Sequence, residues 1–246
     1  NLIYLYLLMR TLKKLNIQKV YDLQNSSRTK FYKNILFPKA NYDLWSSSET
    51  TQPKNILKEE FDKNPVLNRF EHQLKFSGLK TGNTMKPNFT WATFNIDSVK
   101  QEFNLSKYIV LFPFCSAHLN HKKWPHYNEL IDLIKNKYDN QLKVVVAPGP
   151  SEIKEAKLIN AISILDNNKA LDISQLSSLI KGSSFIVAND TGPAHMAAHL
   201  GVKGLTLFGK HTTAYKVSIE RDNFKAIQVL DLNNLSAGKV LEKILI

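Results

Sequence analysis

From Ser106 onward, short apolar runs alternate with stretches of helical period. Tyr108–Phe112 is an aromatic and β-branched run stopped by Pro113, which predicts a buried strand. Pro125 opens a helix whose apolar positions Tyr127, Leu130, Ile131 and Ile134 recur at helical spacing. Leu142–Ala147 predicts a second strand, halted by Pro148-Gly149-Pro150, and Ser151 is placed to cap a helix carrying Ile153, Ala156, Leu158 and Ile159. A short strand over Ala161–Leu165 and a helix over Ile173–Ile180 follow, then a strand over Ser184–Ala188. Pro193–Leu200 reads as a helix, Gly204–Phe208 as a strand, and Leu235–Ile246 as a closing helix. Strands that are apolar on both faces and alternate with helices predict a parallel sheet covered on both sides, in a Rossmann-like domain.

The pattern before residue 105 is less regular. Leu2–Leu15 reads as an amphipathic helix, Lys19–Leu23 as a strand, and Ser26 or Ser27 as the cap of a helix through Phe31. Polar stretches occupy Trp45–Pro53 and Thr81–Asn88, and a long helix is predicted over about Ile56–Phe76. This is a partial α/β domain without its opening strand and helix. The expected division is therefore 1–104 and 105–246, with no fixed-period repeat in either part.

Composition narrows the class without changing this picture. The chain has 246 residues, 43% hydrophobic and 22% charged, with nine glycines and nine prolines, which excludes collagen-like, low-complexity and disulfide-stapled proteins. A single cysteine, Cys115, allows no intrachain disulfide and fits a reducing, cytoplasmic setting. The apolar run Leu2–Met9 is too short to span a bilayer and has neither the charged lead nor the small-residue cleavage site of a signal peptide. The sequence is expected to be a fragment that enters partway through a domain. Its formal charge is +12, but only Arg10, Arg28, Arg69 and Arg221 are arginine, so the excess is lysine spread along the chain. Nucleic-acid surfaces lean on arginine for bidentate and stacking contacts, and no arginine- and aromatic-rich stripe is present. Diffuse basicity is read as background, with attraction to anionic substrates or an anionic membrane surface as the remaining use.

In an open parallel sheet, ligands bind beyond the carboxyl ends of the strands, and four such segments carry unusual residues. Asn189-Asp190-Thr191-Gly192-Pro193-Ala194-His195 leads from a strand into a helix. The amides of Ala194 and His195 would lie unpaired at the helix start, where the dipole also favours an anion. Asp190 could accept hydroxyl hydrogen bonds, and His195 could meet a phosphate or sugar. A turn in which Asp190 or Thr191 merely caps the helix explains the same residues. Ser116 and the Asn120-His121-Lys122-Lys123-Trp124-Pro125 loop offer a hydroxyl and lysines, either Lys122 or Lys123 reaching a ligand; two solvated lysines are the plainer reading. Glu152, after Pro148-Gly149-Pro150-Ser151, could accept ribose hydroxyls or simply face a helix dipole. Phe208-Gly209-Lys210-His211-Thr212-Thr213 is a weaker candidate for a polar turn over the ligand. His195 and His199 share zinc-like spacing, yet Met196 follows and no further ligands cluster, so no metal and no cofactor are expected. Cys115 is read as a small packed residue. P-loop, dinucleotide and hydrolase-elbow motifs are all absent.

Together these segments resemble glycosyltransferase family 9, the lipopolysaccharide heptosyltransferase family. Asn189-Asp190-Thr191-Gly192-Pro193-Ala194-His195-Met196-Ala197-Ala198 is similar to its N-D-[ST]-G-P-x-H-[LM]-A-A signature. Lys122-Lys123-Trp124-Pro125 is similar to its K-x-W-P loop, and Gly149-Pro150-Ser151-Glu152 to its G-P-x-E segment. Phe208-Gly209 resembles the start of its F-G-P-T loop, and Asp22-Leu23-Gln24-Asn25-Ser26-Ser27-Arg28 resembles a D-L-Q-x-x-x-R segment. The resemblance implies a GT-B fold of two Rossmann-like parallel-sheet domains, the N-terminal one incomplete here. It implies inverting, metal-independent transfer of a heptose from a nucleotide-diphosphate sugar, ADP-heptose first, to a lipid-linked lipopolysaccharide core acceptor. Lys122, and beside it Lys123, would hold the phosphates and Glu152 the ribose, with Asp190, Thr191, Gly192 and His195 against phosphate and sugar and Ser116 a softer match. The chain departs from the family pattern at Phe114, where glycine is usual, and at Lys210-His211-Thr212, where proline and then threonine-aspartate are usual. The family's opening S-x-G-D loop, whose aspartate is the presumed general base, has no counterpart, so no catalytic residue is assigned and the base is expected upstream of Asn1. A cytoplasmic protein with peripheral contact at the anionic inner membrane face is the implied setting. Another GT-B nucleotide-sugar enzyme, such as an epimerase or a different sugar transferase, is the alternative; a basic nucleic-acid-binding protein and a binding module without activity stand behind it.

Overall fold

The computed structural model describes residues 2–37, 44–139 and 141–246, and its chain divides into two units, Asn1–Met85 and Lys86–Ile246. The first unit contains α1 (Leu2–Lys14), β1 (Val20–Tyr21), α2 (Ser27–Leu36), β2 (Trp45–Ser46), α3 (Lys58–Phe61) and α4 (Val66–Phe76). β1 and β2 pair in parallel, Val20 opposite Trp45 and Tyr21 opposite Ser46. Ser26 starts α2 through a reciprocal cap: its hydroxyl accepts from the Thr29 amide, and the Thr29 hydroxyl accepts from the Ser26 amide. At the end of β1 the buried Asp22 carboxylate accepts from the amides of Gln24 (3.1 Å) and Asn25 (2.9 Å), closing the turn into that cap.

Two expectations for this unit are corrected. The single helix over Ile56–Phe76 is two helices, because Pro65 sits extended (φ −54, ψ 145) at the start of α4, and the residue before a proline is steered out of the helical region. β2 lies inside the stretch read as a polar loop. Ser46, Ser47 and Thr51 of that stretch are buried and bonded: the Thr51 hydroxyl donates to the Ser47 carbonyl at 2.8 Å, and the Ser46 hydroxyl accepts from that of Ser77 at 2.6 Å. Gln73 Nε2 donates to the carbonyls of Asp22 (3.1 Å) and Ser46 (3.0 Å). Satisfied hydroxyls and amides can be buried without the penalty that polarity alone suggests.

The second unit runs α5 (Asp97–Glu102), β3 (Tyr108–Phe112), α6 (Tyr127–Lys137), β4 (Lys143–Val146), α7 (Ile153–Ala156), β5 (Ile162–Ser163) and α8 (Ile173–Lys181). It continues with β6 (Phe185–Asn189), α9 (Gly192–His199), β7 (Gly204–Phe208), α10 (Ala214–Val217), β8 (Phe224–Gln228) and α11 (Ala237–Glu242). Its sheet has the order β5-β4-β3-β6-β7-β8, every neighbouring pair parallel. Side chains alternate across each strand, and both faces are apolar. Val110, Phe112, Ile186 and Ala188 pack with α8, α9 and α10 residues on one side; Ile109, Leu111, Val187 and Leu207 pack with α6 and α11 residues on the other. Tyr127, Leu130, Ile131 and Ile134, the predicted stripe of α6, are all buried.

The division falls nearer the N-terminus than the 104/105 boundary read from sequence texture. Ile96, Val99 and Leu105 share one core with Tyr108 and Val110, so the segment from Lys86 belongs with the second sheet. α7 begins after Glu152 rather than being capped by Ser151. β8 was not expected, since it pairs only with β7 and its exposed Lys225 and Gln228 break the apolar run. Among the described residues, no helix is long and apolar enough to cross a membrane.

Candidate functional site

In chain order the second sheet steps outward from β3 through β4 to β5, then returns to the other side of β3 with β6. That reversal opens a crevice beyond the carboxyl ends of β3 and β6, the place where such sheets take ligands. A cavity of about 500 Å³ occupies it. Its walls include Phe112, Ser116, Lys122, Gly149, Glu152, Asp190, Thr191, Gly192 and His195, drawn from the ends of β3, β4 and β6. Leu119, Ala147, Leu171 and Leu176 add an apolar side.

The loops are tied to one another through Asn189, fully buried at the end of β6. Its Oδ1 accepts from the Trp124 amide (3.2 Å) and the Tyr127 hydroxyl (3.2 Å), and its Nδ2 donates to the Pro113 carbonyl (2.8 Å). Trp124 is itself buried, with Nε1 donating to the Leu235 carbonyl at 2.7 Å and its ring edge-on to Tyr127 at 4.9 Å. The Trp-Pro step therefore anchors the lysine loop and aims Lys122 at the cavity.

Lys122 and Lys123 separate at that anchor. Lys122 Nζ bonds Asp190 Oδ2 at 2.6 Å inside the cavity, whereas Lys123 Nζ bonds Glu155 Oε1 at 2.6 Å and is not among the lining residues. Lys122 ends a 3-10 turn over Ala117–Lys122 and Lys123 is extended, so the backbone changes direction between them and the two ammonium groups part, only Lys122 facing the cavity. Asp190 is 8% exposed, and Oδ2 also receives His211 Nε2 at 3.1 Å. His195 Nε2 stands 3.8 Å from Oδ1, an electrostatic contact rather than a hydrogen bond. Burial works against the charge of Asp190, but His195, Lys122 and His211 outweigh it and hold the carboxyl well below the usual carboxylate range.

The start of α9 differs from the expected set of free amides. Thr191 is extended at the cap (φ −144, ψ 168), and its carbonyl accepts from the amides of Ala194 (3.1 Å) and His195 (3.4 Å). Pro193 has no amide hydrogen, so Gly192 is left as the first-turn residue whose N–H has no intrahelical acceptor. Glu152 stands at the N-cap of α7, but its carboxylate makes no cap bond. Its Oε2 accepts from the Gly149 amide at 2.8 Å, which turns the carboxylate back over the β4 end and toward the cavity. Cys115 is a packed residue that also lines the cavity; its thiol donates to the Leu119 carbonyl at 3.1 Å, and burial pushes its pKa up.

His211 belongs to the turn read as the weaker candidate, and sequence reasoning assigns it no role of its own. It follows β7, and Gln228 Nε2 holds its loop by donating to the carbonyls of Gly209 (2.8 Å) and Thr212 (3.0 Å). The signal was present as a polar cluster after a strand, but nothing in the sequence pairs it with Asp190.

His199 lies one turn after His195, with ring centroids 6.4 Å apart, and among the described residues no three His, Cys, Asp or Glu side chains are grouped to hold a metal. Arg221 Nη2 donates to His199 Nδ1 at 3.4 Å. Burial first, then Arg221 and His195, push the His199 pKa down to about 4. An unfolded histidine titrates near about 6.5, so the unfolded chain takes up a proton that the folded chain refuses between these values. Melting temperature should thus fall as pH drops from about 6.5 to about 4. The replacement His199→Gln should flatten that slope, and equal slopes for the two proteins would refute the assignment.

A sequence model of glycosyltransferase family 9 (heptosyltransferase) matches residues 8–236. The E. coli ADP-heptose lps heptosyltransferase II structure superposes with a TM-score of 0.68 at 17% identity, covering 96% of this chain and 78% of that one. E. coli heptosyltransferase WaaC with ADP gives 0.61 at 19% identity, covering 92% and 72%. A family 9 glycosyl transferase from Veillonella parvula gives 0.60 at 12% identity, covering 90% and 65%. Among curated proteins, no sequence matches. Identities this low speak for the fold, and the family match over most of the chain speaks for the lineage: the chain belongs to glycosyltransferase family 9, and it is a glycosyltransferase of GT-B type.

Proposed function

We propose that the cavity binds the nucleoside diphosphate of a sugar donor, ADP-heptose first, and that the protein transfers the heptose with inversion to a lipid-linked lipopolysaccharide core acceptor. The observation that carries this reading is the Lys122–Asp190 pair at the sheet reversal, with Glu152, Thr191, Gly192 and His195 around the same cavity. Lys122 and the Gly192 amide meet the diphosphate, and the free oxygen of Glu152 accepts a ribose hydroxyl. Leu171 and Leu176 give the base an apolar wall. Asp190 accepts hydroxyl hydrogen bonds from the transferred sugar, beside His195.

In the transfer, the acceptor hydroxyl oxygen attacks the anomeric carbon, its proton goes to a base, and the bond from that carbon to the diphosphate oxygen breaks. Negative charge builds on the departing diphosphate. A lysine and a helix-start amide already in place stabilise it without reorganisation, the electrostatic contribution that dominates many such reactions. In this reading they do so without a metal. The lysine excess adds peripheral attraction to an anionic membrane surface that carries the acceptor.

Calorimetry with ADP, UDP and GDP tests the reading. ADP is expected to bind tightest. Failure of all three defeats the proposal, and a clear preference for UDP moves the protein to another class of nucleotide-sugar enzyme. Lys122→Ala removes a charge-assisted bond worth about 1.5–3 kcal/mol, so its dissociation constant for ADP should rise about ten- to a hundredfold. The replacement Lys123→Ala, on the loop's other side, should change it by less than about twofold, since exposed ion pairs contribute little.

A further inference from the structure

We infer that His211 is a positioning residue of the sugar-donor site: it keeps the Asp190 carboxylate compensated so that Lys122 can leave it for the diphosphate. The inference rests on the proposed function and deepens it.

Asp190 Oδ2 is shared by two groups of different placement. Lys122, at 2.6 Å, lines the cavity; His211, at 3.1 Å, does not and stands behind the carboxylate. The His211 side chain is 10% exposed, its ring is stacked on Phe208 at 6.0 Å, and it meets the edge of His121 at 5.4 Å. Its Nδ1 is buried with no partner among the described residues, and among these the bond from Nε2 to Asp190 is the ring's one hydrogen bond. Ring contacts with Phe208 and His121, the bond to Asp190 and the Gln228 clamp on the loop hold the ring in place.

Lysine is a mobile point charge on a flexible stem. A diphosphate entering the cavity draws the Lys122 ammonium toward itself and away from Asp190. Were Lys122 the sole partner, that movement would leave a buried carboxylate uncompensated, and removing one member of a buried pair is costly. His195 also favours the charged carboxylate, but at 3.8 Å it makes no hydrogen bond and at 34% exposure water screens it, so it does not take the place of a bonded partner. His211 is closer, at 3.1 Å, and only 10% exposed. It lowers the cost of transferring Lys122 and leaves Asp190 facing the sugar.

The test uses ADP as the probe, with calorimetry on the wild type, His211→Ala, His211→Gln, Lys122→Ala and the double variant of alanine at both positions. His211→Ala should weaken ADP about tenfold, while His211→Gln, whose amide can donate from the place of Nε2, should stay within about threefold of wild type. In the Lys122→Ala background the His211→Ala change should be less than about twofold, because there is no lysine left to release. If alanine unfolds the loop, His211→Met fills the ring's space without a hydrogen to donate and carries the same expectation. Wild-type affinity in the variant without a donor hydrogen, or the same loss in both backgrounds, overturns the inference. A wild-type protein that binds no nucleoside diphosphate overturns the proposed function instead.

Discussion

Asp190→Asn is expected to separate binding from turnover: affinity for ADP is kept or tightened, while transfer falls about ten- to a hundredfold. The split follows from the charges around one side chain. In the free protein Lys122 is held by Asp190 at 2.6 Å, so a phosphate must compete with a buried carboxylate for the ammonium. Asparagine keeps the shape and removes the competitor, and it also removes a negative charge from the cavity wall. ADP, which carries no sugar, therefore loses nothing. The sugar loses a charged acceptor for its hydroxyls, and hydrogen bonds to charged groups contribute about 1.5–3 kcal/mol each. Because His195, Lys122 and His211 outweigh burial and hold the Asp190 carboxyl well below the ordinary range, it is ionised at every working pH, and the comparison with asparagine is a comparison of charge. Calorimetry with ADP and a steady-state transfer assay on the same preparation decide the matter. Parallel loss of both would mean that Asp190 is part of the nucleotide site and not chiefly of the sugar site.

The sequence was most readable where one requirement dominates. β3, β6 and β7 are apolar on both faces because helices cover both sides of the sheet, and their limits were read to within one residue. β8 escaped because an edge strand has one partner and tolerates Lys225. The break at Pro65 is hidden for a different reason: the apolar period continues across it, while the backbone restriction of the Asn64-Pro65 step ends the first helix. At the site, residues that lie within a strand end and the helix after it were legible, since Asp190, Thr191, Gly192 and His195 are fixed by one local turn. Contacts between strand ends were not. His211 meets Asp190 only because β7 lies beside β6 in register, Asn189 opposite Leu207. The amides of Ala194 and His195 were read as open to a ligand, and whether an N–H at a helix start stays open depends on the φ and ψ of the cap, which residue type alone does not set.

Asn189→Ala should be the most damaging single replacement for the second unit, lowering unfolding free energy by about 2–5 kcal/mol, the range expected when buried polar groups lose their partner. The side chain has no exposure and makes three bonds, to the Trp124 amide, the Tyr127 hydroxyl and the Pro113 carbonyl. Alanine strands the first and last of these away from water. Tyr127 is less affected, because its hydroxyl can turn to the Phe112 carbonyl at 3.3 Å, and burial holds its pKa well above normal so that it remains a donor. A replacement that only trims the anchor gives the comparison: Trp124→Phe keeps most of the buried ring and loses the bond to Leu235, an expected cost of about 0.5–1.5 kcal/mol. Urea unfolding followed by tryptophan-independent circular dichroism measures both, and a loss under about 1 kcal/mol for Asn189→Ala would show that water replaces the missing amide. The same three bonds join the end of β3, the lysine loop and the end of β6, so the variant should also bind ADP more weakly at temperatures where it is still folded. Stability and ligand affinity are then two readings of one buried amide, since the groups that face the diphosphate are placed by loops that Asn189 holds together.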